Sequence, residues 1–100
     1  MPLSLSFLPS FDRSLKNLDP NQRETIRMLL RALLVYYQSS CNLSEAQKIV
    51  PRFFYKQLRK PFYEAGIESK LRLIIKREDS KCVAILAGNH DQVKKFLTGQ

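Results

Sequence analysis

The spacing of apolar residues changes about halfway along the chain, and this change limits the folds that the sequence can adopt. Between Ile26 and Tyr37 apolar residues recur at helical spacing, which predicts an amphipathic helix of roughly twenty residues. After Pro51 the apolar residues alternate with polar ones or run continuously, as they do in strands. A chain of 100 residues that contains both patterns is expected to form one α+β domain, residues 1–100, with helices packed on a single sheet.

The first half of the chain carries signals for one strand followed by helices. Residues 3–7 alternate between apolar residues and serine, which predicts a short strand. Ser10 is placed to cap a short helix. Asp19 is placed to cap the long helix, because Gln22 completes a capping box with it. Residues 44–47 predict one or two further helical turns, capped by the serine at their start.

The second half of the chain is predicted to contain three strands. Residues 52–58 have a β-rich composition, and Pro61 and Gly66 are then expected to mark a turn or an irregular crossing. Residues 70–76 alternate in a way that gives one apolar face and one largely cationic face. Residues 82–87 are continuously apolar, which is typical of a central strand buried on both sides.

The chain ends with signals for a short helix. Asn89 is placed to cap this helix, and Gln92 occupies the capping-box position. The predicted order is therefore strand, helix, helix, strand, strand, strand, helix. Because consecutive strands joined by short turns pair antiparallel, we expect the later strands to form an antiparallel meander.

The positive charge is concentrated in one segment. The chain has 17 Lys and Arg against nine Asp and Glu, a formal charge of +8. Residues 48–77 alone have nine basic and two acidic side chains, a net +7. Self-repulsion at this density costs folding free energy that a polyanion would offset, and nucleic acid is the commonest polyanion. An acidic protein partner and a merely solvated basic face both remain open.

The sequence also argues against several classes of protein. No apolar run approaches the roughly twenty residues of a membrane helix, and we do not expect a signal peptide at the N-terminus. Cys41 and Cys82 are too few for a disulfide framework, so we expect reduced thiols in a cytoplasmic protein. One histidine and two distant cysteines cannot complete a metal site, and no dinucleotide motif is present, so no cofactor is expected.

Three side chains are candidates for chemistry. His90, the only histidine, follows the last predicted strand, and it is either a general acid or base or a surface residue near the helix cap. Arg72 lies on the predicted polar face, where it either binds an anion or extends into solvent, and where alanine should be tolerated. Glu64 either acts as a base, orients His90 or Arg72, or forms an internal salt bridge.

Aromatic and cationic side chains interleave between residues 52 and 63. Stacking on aromatic rings combined with neutralisation of the backbone is how proteins bind single-stranded RNA. The alternative is that the aromatic residues belong to the core and the cations solvate its edge. The aromatic residues concerned are Phe53, Phe54, Tyr55, Phe62 and Tyr63.

Four short motifs lie at residues 61–64, 70–75, 83–90 and 93–97. Together they resemble the RelE/ParE superfamily, the small toxins of bacterial toxin–antitoxin pairs. The resemblance implies a four-stranded antiparallel sheet packed by an N-terminal helical hairpin and a short C-terminal helix. It also implies a cognate acidic antitoxin as partner. RelE-like members are ribosome-dependent mRNA endonucleases, whereas ParE-like members act on DNA gyrase.

The resemblance also suggests roles for individual residues. Arg72 matches the strand arginine that RelE-like enzymes place against the scissile phosphate, and His90 matches a histidine after the last strand of some members. Glu64 falls near an acidic position of certain members. Asp91 departs from the pattern, since several nucleases have tyrosine or a basic residue there. The cations expected to contact RNA phosphates are Lys56, Arg59, Lys60, Lys70, Lys76 and Arg77.

Two functions therefore remain open at this stage. The first is a metal-independent mRNA endonuclease that contacts mRNA and the ribosome and uses the 2′-hydroxyl of RNA as nucleophile, with His90 moving protons and Arg72 stabilising charge. The second is a non-catalytic inhibitor of DNA gyrase, or an inactive member of the family. Convergence of Arg72 and His90 on an open surface would favour the enzyme, whereas a buried His90 would favour the inhibitor.

Overall fold

A single sheet lies at the centre of the computed structural model, which describes residues 4–67 and 71–99. In this part of the chain the strands are β1 (Ser4–Phe7), β2 (Phe53–Gln57), β3 (Phe62–Ile67), β4 (Arg72–Glu78) and β5 (Lys81–Gly88). The helices are α1 (Pro9–Lys16), α2 (Pro20–Gln38), α3 (Leu43–Gln47) and α4 (His90–Thr98). None of these helices is long and apolar enough to cross a membrane.

The strands are arranged in the order β1-β5-β4-β3-β2. Strands β2 to β5 form an antiparallel meander, and β1 joins it in parallel beside β5. The α+β class and the central position of β5 are therefore confirmed. The four predicted strands correspond to β1, β2, β4 and β5. Strand β3 is an additional strand, and the parallel β1 makes the whole sheet five-stranded and mixed.

Pro61 lies in the turn that precedes β3, as predicted, but the prediction of a turn at Gly66 is wrong, because residues 62–67 form β3. Gly66 lies inside the strand, directly opposite Arg72 of β4. A Cβ atom at Gly66 would lie 2.7 Å from the carbonyl oxygen of Leu71 and 2.9 Å from the Cα of Arg72. The glycine therefore marks a close approach between two backbones rather than a turn.

We expect Gly66→Ala to destabilise the protein, because the added methyl group meets backbone atoms that cannot move independently. Overpacking of this kind costs about 1–3 kcal/mol, which lowers the thermal midpoint of a domain of this size by several degrees per kcal/mol. Gly99→Ala is the matched control, since its nearest neighbours would lie at ordinary contact distances of 3.5 and 3.6 Å. Equal thermal midpoints for the two variants would contradict the expectation.

The caps of the two best-defined helices are confirmed. At the start of α2, Asp19 Oδ1 accepts from the backbone N–H of Gln22 at 2.8 Å, and Gln22 Oε1 accepts from the N–H of Asp19 at 3.0 Å. Asn89 and Gln92 form the same reciprocal pair at the start of α4, at 2.9 and 2.8 Å. These boxes fix the start of each helix because they satisfy N–H groups that have no partner within it.

The caps predicted for the two shorter helices are wrong. Helix α1 begins at Pro9 without a side-chain cap, and the Ser10 hydroxyl instead donates to the carbonyl of Ile85 at 2.7 Å. Helix α3 is capped by Asn42, whose side-chain oxygen accepts from the N–H of Ser44 at 3.0 Å. Ser10 thus forms a tertiary hydrogen bond instead of a cap, and Asn42 occupies the capping position that was predicted for Ser44.

The two faces of the sheet are covered unequally. Helices α1–α3 pack on one face, which we call the helix face, and enclose the main core. On the opposite face, which we call the α4 face, α4 covers only a small cluster formed by Ile74, Ile85 and Val93. Ile74 thus interrupts the face of β4 that was predicted to be largely cationic. The main core includes Phe11, Leu29, Leu33, Phe53, Leu73 and Ile75.

Candidate functional site

A cluster of charged side chains lies on the α4 face. Lys56 of β2 is directly opposite Glu64 of β3, and Arg72 of β4 lies diagonally across from Glu64. The distance from Arg72 Nη1 to Glu64 Oε1 is 3.1 Å, and that from Lys56 Nζ to the same oxygen is 3.6 Å. Neighbouring strands place these residues together because their side chains all point to the same face of the sheet.

Glu64 is a buried ion-pair partner. Only 3% of its side chain is exposed, and it faces two cations. A buried carboxylate is tolerated only when it is paired and hydrogen-bonded, and both conditions are met here. Three roles were considered for Glu64 from the sequence, and the contact that the structure shows is an internal salt bridge with Arg72.

Arg72 is held on two sides and has an unused donor. Glu64 accepts from Nη1, and the guanidinium carbon lies 5.2 Å from the centre of the Phe54 ring. Its Nε is buried and has no hydrogen-bond partner in the described part of the chain. A buried N–H group without a partner is costly, and an acceptor supplied by a ligand would remove this cost.

Two glycines lie directly opposite Arg72 on the neighbouring strands. Gly66 is its direct partner on β3, and Gly88 is its direct partner on β5. Neither neighbouring strand therefore has a side chain at the position directly opposite the arginine. The Nε–H and the outer amino group of a guanidinium form an edge that donates two parallel hydrogen bonds, which suits a phosphate or a carboxylate.

His90 lies near the same end of the β4–β5 pair. Arg72 is the first residue of β4, Gly88 is the last residue of β5, and His90 begins α4 two residues later. Its side chain is exposed to solvent. The structure therefore presents an accessible imidazole at the end of the sheet that carries the Arg72 guanidinium.

Several solved structures that match this arrangement of strands and helices are toxins or toxin–antitoxin complexes. The E. coli DinJ–YafQ complex contains a chain with a TM-score of 0.66 and 15% identity, over 91% of this chain and 97% of that one. The RelB–RelE antitoxin–toxin complex of Methanococcus jannaschii gives 0.60 and 13%, over 90% and 95%. A copper-bound mutant toxin from Helicobacter pylori gives 0.59 and 20%, over 91% and 98%. The chain has the RelE toxin fold.

Comparison at the level of sequence adds no further relative. No protein-family model matches the chain, and no curated protein matches it. At 13–20% identity the matches to these solved structures establish the fold alone.

In the RelE fold, the cations that were predicted to bind phosphate lie at several separate places on the molecule. Lys56 belongs to the charged cluster, and Arg59 and Lys60 are exposed between β2 and β3. Lys76 lies on the α4 face, and its Nζ is 3.2 Å from Glu78 Oε1. Lys70 lies outside the described residues.

Arg77, by contrast, lies on the helix face of the RelE fold. Its guanidinium carbon is 4.4 Å from the centre of the Tyr37 ring, and Tyr37 shares a 2.6 Å hydrogen bond with the hydroxyl of Tyr55. Burial raises the pKa of Tyr37 well above its usual value and raises the pKa of the Cys82 thiol to about 11. Tyr37 and Cys82 therefore stay protonated at neutral pH, and Arg77 stabilises a tyrosine cluster on the face opposite Arg72.

The interleaved aromatic residues are divided in the same way. Phe53 and Tyr55 pack on the helix face, and Phe62 packs against Phe96 of α4 at a centroid distance of 5.8 Å. Phe54 lies beside Arg72 on the α4 face. The sequence alone does not distinguish Phe54 from the other four aromatic residues, because its neighbours across the sheet depend on the register of β2 with β3.

Proposed function

We propose that the chain is the toxin of a toxin–antitoxin pair and that it cleaves mRNA without a metal ion. The observation that carries the proposal is the Nε of Arg72 on a sheet with the RelE toxin fold, because this atom is buried and has no hydrogen-bond partner among residues 4–67 and 71–99. This donor edge suits a phosphodiester. The Lys56 ammonium adds positive charge beside Arg72. Because the Lys56 side chain is 57% exposed, it remains accessible to a second phosphate.

The proposed chemistry uses the 2′-hydroxyl of RNA as nucleophile. Its oxygen attacks the adjacent phosphorus, the bond from phosphorus to the 5′-oxygen breaks, and the products are a 2′,3′-cyclic phosphate and a 5′-hydroxyl. Arg72 stabilises the additional negative charge on the phosphoryl oxygens. His90 is accessible and can move a proton, either from the 2′-hydroxyl or to the leaving oxygen.

Glu64 receives a supporting role in this proposal. Its carboxylate is occupied by Arg72 and Lys56 and is almost completely buried. It therefore orients Arg72 by binding Nη1 and leaves the other edge of the guanidinium for substrate. Glu64 is a positioning residue, and proton transfer is assigned to His90.

The proposal is tested by inducible expression in bacteria with and without the product of the adjacent reading frame. We expect growth arrest with cleaved mRNA, and we expect co-expression of the acidic partner to relieve it. Growth arrest with intact mRNA and poisoned gyrase would overturn the nuclease assignment but leave a toxin. Absence of growth arrest, despite folded protein, would overturn both.

The antitoxin is proposed to be acidic and to cover part of the basic segment 48–77. The net charge of +7 in this segment attracts an acidic partner and steers its association. We expect the affinity to fall by about tenfold or more between low and high salt, because exposed charges are screened beyond ~10 Å at 0.1 M and beyond ~3 Å at 1 M.

Charge reversal provides the control for this prediction. Arg59→Glu changes an exposed cation inside the basic segment and should weaken antitoxin binding, whereas Lys94→Glu changes an exposed cation of α4 outside it. Calorimetric titration of each variant at several salt concentrations is the measurement. An affinity that responds neither to salt nor to Arg59→Glu would contradict the assigned surface.

A further inference from the structure

Phe54 and Arg72 meet across a glycine on the α4 face. Phe54 in the edge strand β2 is directly opposite Gly66, and Gly66 is directly opposite Arg72. Because Gly66 has no side chain, the guanidinium carbon of Arg72 lies only 5.2 Å from the centre of the Phe54 ring. A pocket of about 300 Å³ opens beside them and is lined by Phe54, Tyr55, Lys56 and Arg72.

Phe54 is unusual among the aromatic residues of these strands. Phe53 is buried in the main core, and Phe62 packs edge-to-face against Phe96. Phe54 is only partly buried, and its contact on the α4 face is with a cation. A partly exposed ring beside a guanidinium is the combination on which bases of single-stranded nucleic acids stack while their phosphates are neutralised.

We propose that Phe54 and Arg72 form a subsite for one nucleotide of single-stranded RNA. The base stacks on the Phe54 ring, and the phosphate binds to the Arg72 guanidinium, whose Nε–H has no partner in the described part of the chain. The pocket volume lies at the lower end of the range for small-ligand sites, as one nucleotide unit requires. The choice of RNA as the ligand rests on the proposed function. The subsite itself concerns binding and not cleavage.

Stacking at this subsite adds to the affinity for RNA whichever base is bound. Every base has a flat π face, and stacking one base on an aromatic side chain strengthens binding by about fivefold or more. Titration of the protein with adenosine 5′-monophosphate and with ribose 5-phosphate, followed by NMR, measures this contribution directly. We expect the wild-type protein to bind the nucleotide at least about fivefold more tightly than the sugar phosphate.

Substitutions at Phe54 separate stacking from phosphate binding. Phe54→Leu should bind both compounds with the affinity that the wild type has for ribose 5-phosphate, and Phe54→Tyr should retain the preference for the nucleotide. Arg72→Lys should weaken both. Phe7→Leu is the matched control, because Phe7 is a 46% exposed phenylalanine on β1 at the opposite edge of the sheet, and it should keep the wild-type preference.

Equal affinities of the wild-type protein for the two compounds would overturn the subsite, and this comparison requires no variant to fold. A folded Phe54→Leu variant that still prefers the nucleotide would also overturn it. If the wild type prefers the nucleotide but does not cleave mRNA, the subsite stands and the proposed activity fails. If mRNA is cleaved while the nucleotide preference is absent, the subsite alone fails.

Discussion

We expect Arg72→Lys to lower the rate of RNA cleavage by about 100- to 1,000-fold, the usual loss when one donor to a developing negative charge is removed. Lysine keeps the positive charge but lacks the planar edge that donates two parallel hydrogen bonds. Cleavage of a defined mRNA on purified ribosomes is the measurement. Arg31→Lys makes the same exchange at an exposed position of α2 and should retain full activity.

Lysine is a better test here than alanine. From the sequence, alanine at position 72 was expected to be tolerated, but this expectation is wrong because only 13% of the Arg72 side chain is exposed and it pairs with the buried Glu64. Arg72→Ala would leave a buried carboxylate with only Lys56 as partner, and a loss of activity could then reflect a loss of folded protein. A folded Arg72→Lys variant with undiminished cleavage would refute the assigned role.

A second large effect is expected on stability. Glu64→Ala should lower the free energy of unfolding by about 3–5 kcal/mol, because it leaves the buried Arg72 guanidinium without its counter-ion. Glu64→Gln should cost less, since its amide oxygen still accepts one hydrogen bond from Arg72. Denaturation by urea, followed by circular dichroism, gives the free energies.

Glu78→Ala is the matched control for this prediction. Glu78 pairs with Lys76 at 3.2 Å, but both side chains are largely exposed, so its removal should change stability by no more than about 1 kcal/mol. Similar losses for Glu64→Ala and Glu78→Ala would show that the buried position has no special importance. Replacing both Glu64 and Arg72 by apolar residues should restore stability while abolishing cleavage, which separates the two effects.

The parts of the fold that depend on neighbours in sequence could be predicted, and those that depend on register could not. The boxes at Asp19 and Asn89 are local, so their residues suffice to identify them. Strand β3 was missed because proline and glycine favour turns locally, and only the pairing of Gly66 with Arg72 explains a glycine within a strand. The contacts of Glu64 and Phe54 with Arg72 depend on the same pairing.

Arg77 shows that more could have been taken from the sequence. Side chains alternate along a strand, so Arg72 and Arg77 must lie on opposite faces of β4 whatever its partners are. The period of two therefore argues against a shared phosphate site for these two arginines. Which face is covered by the helices required the structure, because the sequence also places the apolar Ile74 on the face of Arg72.

The parallel pairing of β1 with β5 has a consequence for the order of events during synthesis. Residues 4–7 pair with residues 81–84, and the hydroxyls of Ser10 and Ser14 bond to the backbone of Ile85 and Ala87. Strand β1 therefore cannot dock until β5 has been synthesised, and such long-range closure is slow. Gly88, which flanks Arg72, arrives with the same strand. The surroundings of Arg72 are therefore complete only after β5 has paired with β4.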